Sequence, residues 1–237
     1  MGKIKTGDDR LIVALDMASP KEMKSIVKEL GDSVSFYKVG MELYYAAGND
    51  AVSWLCDKGK QVFLDLKLYD IPHTVARGIS SVADLGASLI TIHAGGGRMM
   101  MEAAAKAAHK AKNRPKILAV TVLTSFDDVL WKETGENLSI GEKVLHLAKL
   151  AKESGADGVV ASPKEAKAIR ELCGPDFEIV TPGIRPAFAS ADDQKRVATP
   201  KAALESGASR LVIGRPITQA KDPKQALAMI LKEIKGE

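Results

Sequence analysis

Short apolar runs recur along the chain, each followed by a longer stretch in which apolar positions return every three or four residues. The runs Leu11–Asp16, Ser35–Gly40, Gln61–Leu68, Ser88–Ala94, Ile117–Ser125, Gly158–Ser162, Glu178–Ile184 and Arg210–Ile217 are rich in Val, Ile and Leu and have the length of strands. The intervening stretches, among them PKEMKSIVKEL, MELYYAAGNDAVSWLCDKG, GRMMMEAAAKAAHKAK, GEKVLHLAKLAKESG and PKEAKAIRELCG, have helical spacing, and several are closed by glycine. A strand alternating with a helix eight times predicts an α/β chain folded as a (β/α)8 TIM barrel. No Pro/Ser-rich linker or shift in composition divides it, so a single domain covering residues 1–237 is expected. An open doubly wound sheet would also alternate in this way. The first strand lacks the G-x-G-x-x-G turn of a dinucleotide fold, however, and eight units is the number that closes a barrel. In a barrel the chemistry belongs at the C-terminal ends of the strands.

Composition narrows the partners. Against 30 acidic residues the chain has 34 Lys and Arg, a net charge of +4 that is too small to imply nucleic acid or a membrane surface without a clustered patch. The basic stretch AAAKAAHKAKNRPK has an Ala-rich opposite face and no aromatic platform, as a solvated surface helix would. No apolar run is long enough to span a bilayer, and MGKIKTGDD lacks the apolar core of a signal peptide, so a cytoplasmic protein is expected. Gly2 and Thr6 match the spacing of a myristoylation signal, a loose pattern that no second membrane signal supports. Cys56 and Cys173 are too few for a disulfide framework or a zinc site and are expected to be reduced packing residues.

The third strand carries the most chemistry. Alternation splits VFLDLKLYD into Val62, Leu64, Leu66 and Leu68 on one face and Phe63, Asp65 and Lys67 on the other. The aliphatic face belongs under the helices, which turns Asp65 and Lys67 into the lumen at its upper end, with Asp70 following in the loop. A lysine flanked by carboxylates stays a cation able to deliver a proton to a developing carbanion. The alternative is an internal ion network that only positions strands, although burying such charges is costly. By the same alternation Asp16, Lys38 and His93 face the lumen. His93 taken alone is equally compatible with a hydrogen-bonded core histidine. The four histidines form no pair at metal-ligand spacing, and nothing in the sequence requires a metal. After the seventh strand comes TPGIRP and after the eighth IGRPIT. Barrels often hold a phosphate in these two loops, where Gly183 and Gly214 would let backbone N–H groups approach an anion and Arg185 and Arg215 would add charge. The polar, unpatterned segment between Arg185 and Pro200 is expected to be a lid over that phosphate.

Taken together, ALD at Asp16, YKVG at Lys38, DLKLYDIPHT from Asp65 to Thr74, LTS at Thr124, PGIRP and IGRPI closely resemble the orotidine 5′-phosphate decarboxylase family, in order and across nearly the whole chain. D-x-K-x-x-D-I-P-x-T is the specific element. The resemblance implies conversion of orotidine 5′-monophosphate to uridine 5′-monophosphate and carbon dioxide in pyrimidine biosynthesis. It also implies no metal or organic cofactor, and a homodimer whose active sites take residues from both subunits. It makes Lys67 the proton donor to C6 of the pyrimidine and Asp65 the carboxylate beside the departing carboxyl group. Asp16 and Lys38 would bind ribose hydroxyls and complete the charged network. Asp70 and Thr74 would reach the neighbouring subunit's site, Thr124 would lie near the base, and Gln194 would clamp the lid. Arg185, Gly214 and Arg215 would serve the phosphate. His73 stands where the family often has Asn and receives no role. The similar 3-keto-gulonate 6-phosphate decarboxylases bind Mg²⁺ through an acidic residue at the position of Lys38, where a cation would repel the metal. A non-catalytic phosphate-ligand sensor would need only the glycine-arginine loops.

Overall fold

The computed structural model describes residues 7–189 and 197–237, so Gly2, Thr6 and Gln194 lie outside the described residues. Eight parallel strands close into a barrel in chain order: β1 Leu11–Ala14, β2 Phe36–Gly40, β3 Gln61–Leu68, β4 Leu89–His93, β5 Lys116–Val120, β6 Gly158–Val160, β7 Glu178–Thr181 and β8 Arg210–Ile213. β8 pairs back onto β1, with Leu11 opposite Leu211 and Val13 opposite Ile213, which leaves no free edge.

Side-chain alternation sorts the barrel into two apolar layers. Ile12, Phe36, Phe63, Leu89, Leu118, Val180 and Val212 point inward and fill the lumen. Their neighbours, such as Val13, Tyr37, Leu64, Ile90, Ile179 and Leu211, point outward into a larger core beneath the helices. The helices meet that core with one apolar stripe each. Helix Pro20–Leu30 buries Met23, Ile26, Val27 and Leu30, spaced to lie on one face, and its start is capped by Ser19 Oγ accepting from the Glu22 N–H. Each such fully buried side chain contributes roughly 1.5–3 kcal/mol. The stretch Met41–Asp57 is two helices, broken at Gly48 with φ 62°.

Several strands end earlier than the apolar runs suggest. β5 stops at Val120 and leaves Val122–Ser125 as loop, because its neighbour β6 runs only three residues and offers no further ladder. β7 stops at Thr181, before Pro182, which has no N–H to donate. β8 stops at Ile213, and Arg215–Thr218 turns into a short helix with Pro216 in its first turn. These early stops convert the ends of the apolar runs into the loops that form the barrel's mouth.

One strand departs from regular pairing. β3 runs evenly along β2, from Gln61 opposite Phe36 to Asp65 opposite Gly40. Against β4, Leu64 sits opposite Ile90 but Leu68 sits opposite Ile92, so four residue steps of β3 span two of β4. Lys67 lies inside this bulge with φ 52°, the one non-glycine residue with positive φ among the described residues. A left-handed backbone at a residue with a Cβ costs about 1–2 kcal/mol and persists only where the surroundings hold it.

At the N-terminal end of the barrel, Glu178 accepts from Lys116 Nζ at 2.6 Å and lies 3.5 Å from Arg210 Nε. Burial alone would raise the Glu178 pKa, but the Lys116 hydrogen bond and the nearby Arg210 charge outweigh it and hold the carboxyl below its ordinary value. A depressed carboxyl stabilises the folded chain at neutral pH, and this contribution is lost as pH falls through the folded pKa. Glu178→Gln is therefore expected to cost about 1–2 kcal/mol near neutrality. The difference from wild type should shrink below roughly pH 4. Urea unfolding of both proteins across that range checks it.

Candidate active site

A cavity of about 490 Å³ opens at the C-terminal ends of the strands. Four alternating charges line one side of it. Lys38 Nζ donates to Asp16 Oδ1 at 2.6 Å and stands 3.9 Å from Asp65 Oδ2, and Lys67 Nζ donates to that same Oδ2 at 2.9 Å. The inner members are well covered, with side-chain exposures of 11% for Lys38 and 13% for Asp65, against 29% for Lys67 and 54% for Asp16. Each ammonium therefore lies beside a carboxylate, and the row is neutral as a whole. Burial of that kind is tolerable only because every charge has an opposite neighbour.

The elements explain the row. Asp16 follows β1, Lys38 is the third residue of β2, and Asp65 and Lys67 come from β3, all directed inward by the same alternation that fills the lumen below with Phe36 and Phe63. The bulge turns Lys67 back over Asp65. Its backbone N–H donates to Thr91 Oγ1 at 2.8 Å, and Thr91 Oγ1 donates to Asp65 Oδ1 at 3.0 Å. Close packing at the end of β2 is equally demanding: a Cβ on Gly40 would lie 2.8 Å from Lys38 Nζ and 3.1 Å from Asp16 Oδ1.

The rest of the wall comes from the loops after β5, β7 and β8, and the last of these adjoins the charged row, where a Cβ on Gly214 would lie 3.8 Å from Asp16 Oδ2. Thr124, Gly183, Arg185, Gly214 and Arg215 all line the same cavity as Lys67. The chain thus brings together Asp16, Lys38, Asp65, Lys67, Thr124, Arg185, Gly214 and Arg215, as expected from their positions at strand ends. Asp70 and Thr74 are different. Both are exposed on the outside of the chain, and Asp70 Oδ1 accepts from the Ile71 N–H at 2.7 Å. Of the two carboxylates that flank Lys67 in sequence, only Asp65 meets it within one chain, because the bulge ends β3 and carries Asp70 out of the lumen. The second carboxylate of the lumen network is Asp16, reached through Lys38.

His93 is hydrogen-bonded and stacked. Its Nδ1 accepts from the Gly95 N–H at 3.0 Å, and its ring lies 5.1 Å from that of Tyr69, nearly parallel. Burial, followed by the charge of Lys67, pushes its pKa below the usual histidine value, so it is neutral at physiological pH with the proton on Nε2. His73 is exposed. Among the described residues no group of three or more His, Cys, Asp or Glu side chains is placed to hold a metal ion, and no helix is long and apolar enough to cross a membrane. Thr91 is the residue that the strand-by-strand reading missed. It lies two positions before His93 on the same strand, so the alternation that turned His93 inward would have found it.

The family model of the orotidine 5′-phosphate decarboxylase / HUMPS family matches residues 9–230. The chain belongs to this family. It is 49% identical over 229 residues to an orotidine 5′-phosphate decarboxylase of Trichlorobacter lovleyi, the match covering 95% of each chain. It is 50% identical over 236 residues to that of Lactobacillus acidophilus, covering 96% of this chain and 99% of the other. A crystal structure of orotidine 5′-phosphate decarboxylase from Lactobacillus acidophilus superposes with a TM-score of 0.84 at 47% identity, covering 96% of this chain and 99% of that one. The family match begins just before β1 and runs into the last helix, so it takes in every strand of the barrel and the whole row of charges.

The contact at Gly40 gives a direct test of the row. In Gly40→Ala the new methyl must displace the Lys38 ammonium, the movable end of a long side chain, rather than the backbone. Stability should change by less than about 1 kcal/mol, while kcat/KM falls by about tenfold or more through the misplaced cation. Thermal unfolding beside steady-state kinetics checks the split.

Proposed function

We propose that this chain decarboxylates orotidine 5′-monophosphate to uridine 5′-monophosphate and carbon dioxide in pyrimidine biosynthesis. The observation that carries the reading is the Asp65–Lys67 pair, 2.9 Å apart and presented to a cavity that two glycine-arginine loops also line. The names of relatives about half identical over nearly full length support it.

In this reading the bond between C6 and the carboxyl carbon breaks and its electron pair stays on C6 as a vinyl carbanion. The Lys67 ammonium faces that developing charge and then gives C6 its proton. Asp65 lies beside the departing carboxylate, and two anions brought together favour the loss of one as neutral carbon dioxide. Lys38, held between Asp16 and Asp65, completes the network and with Asp16 takes the ribose hydroxyls. It also puts an ammonium where a metal-dependent barrel would need a carboxylate, which favours chemistry without a metal. Thr124 lies near the base, Gln194 clamps base to phosphate, and Arg185, Gly214 and Arg215 hold the phosphate. The chain acts as one domain, residues 1–237, in the cytoplasm, where Cys56 and Cys173 stay reduced.

Loss of the orotidine 5′-monophosphate absorbance on adding purified protein tests the activity, and no change overturns it. Lys67→Ala is expected to lower kcat by about 10³-fold or more while still binding uridine 5′-monophosphate, since a proton delivered in the transition state adds little to ground-state affinity. Near-normal turnover in that variant would remove Lys67 from its role.

The same reading includes a homodimer with shared sites. Asp70 and Thr74 are exposed beside Tyr69 and Ile71, which are 62% and 66% exposed, a set of residues suited to covering by a second copy. Asp70→Ala and Lys67→Ala homodimers should each be inactive. In a mixed dimer the two-fold axis gathers both lesions into one site and leaves the other intact. Equal mixing should then recover about a quarter of wild-type activity. Confirmed heterodimers with no recovery would place both residues in one subunit's site.

A further inference from the structure

We infer that Thr91 is a positioning residue for the reaction, the single group that fixes both the Asp65 carboxylate and the strained backbone of Lys67. The inference rests on the roles proposed above for those two residues. Thr91 is the middle residue of β4, directed into the lumen and fully buried at 0% exposure, so it cannot itself touch a substrate.

Its hydrogen bonds have one possible direction. The Lys67 N–H can only donate, so at 2.8 Å the Thr91 hydroxyl oxygen accepts there. The one hydroxyl proton is left for Asp65 Oδ1 at 3.0 Å, and a carboxylate can only accept it. Oδ1 is thereby tied to β4, and Oδ2 is the oxygen turned to the two lysines, 2.9 Å from Lys67 Nζ and 3.9 Å from Lys38 Nζ. The other half of the bridge acts on the backbone. Within the bulge the ladder between β3 and β4 has lapsed from Leu64 to Leu68, and the Lys67 N–H is satisfied by the Thr91 side chain instead of a carbonyl. This bond lies at the one described non-glycine residue with positive φ. One hydroxyl thus sets the rotamer of the carboxylate and the backbone turn that aims the ammonium at it. Removing it leaves a buried N–H and a carboxylate oxygen without that partner, and frees both reacting groups to drift.

Thr91→Val keeps the shape and removes the hydroxyl; Thr91→Ser keeps the hydroxyl and removes the methyl. The valine variant is expected to lose about 10- to 100-fold in kcat, with KM and the affinity for uridine 5′-monophosphate changed by less than about threefold, because the phosphate loops lie on other strands. The serine variant should recover kcat to within about threefold of wild type. Thr91→Ala is read in the same way if the valine variant does not fold. The proposal is overturned by near-normal kcat without the hydroxyl, by a serine variant as slow as valine, or by an equal loss of product affinity. Failure of both hydroxyl-free variants to fold, followed by circular dichroism, makes Thr91 a folding requirement and overturns it too. Lys67→Ala, assayed in parallel, separates the two layers. Turnover retained there sinks the lysine assignment and this inference with it, whereas a dead Lys67→Ala beside a fast Thr91→Val sinks this inference alone.

Discussion

Asp65 places a carboxylate at the top of a barrel lumen that is otherwise filled with Ile, Leu, Val and Phe side chains, and a charge in such a place is costly unless donors and opposite charges surround it. Lys67, Lys38 and Thr91 supply that surrounding from three strands. Lys38 is in turn anchored by Asp16, which brings in a fourth. Satisfying one buried carboxylate therefore organises the upper ends of β1 to β4, half of the barrel. The same contacts put two ammonium groups at the edge of the cavity.

The two ends of the barrel use charge differently. At the N-terminal end, Glu178, Lys116 and Arg210 close on one another and on the strand backbones, and Arg210 also lies over the ring of Phe36 at 5.3 Å. That cluster is remote from the mouth and serves stability. At the C-terminal end the charges face a cavity and coincide with the bulge and the positive φ at Lys67. Strain and cavity-facing charge are thus concentrated at the mouth, while the apolar lumen between the two ends separates the mouth from the floor.

Much of this was legible from residue order. Apolar runs separated by helical stretches gave the eight strands and their succession, and simple alternation turned Asp16, Lys38, Asp65 and Lys67 inward. Glycine and arginine after the last two apolar runs placed Gly183, Arg185, Gly214 and Arg215 at the mouth. These features are local: a strand's period is two, whatever its neighbours, and a residue just past a strand end lies at the rim whatever the rim is made of.

Strand ends, the bulge and the pairing of charges were decided only in three dimensions. β5 stops at Val120 because β6 is short, a fact about a neighbour 40 residues away in sequence, Val120 lying opposite Val160. Alternation put Lys67 on the lumen side, but the side chain reaches Asp65 through a two-residue slip against β4 that no pattern within β3 encodes. Asp70 is near Lys67 in sequence and outside the lumen in space, whereas Asp16 is distant in sequence and joined to the network through Lys38. Thr91, an unremarkable residue in an apolar run, becomes the hinge of the site because its hydroxyl meets two groups from another strand. Sequence determined which face each residue occupies, since that depends on the backbone's own period. Which charge meets which, and which hydroxyl fills a gap in a ladder, depends on the register between strands, and only the closed barrel sets it.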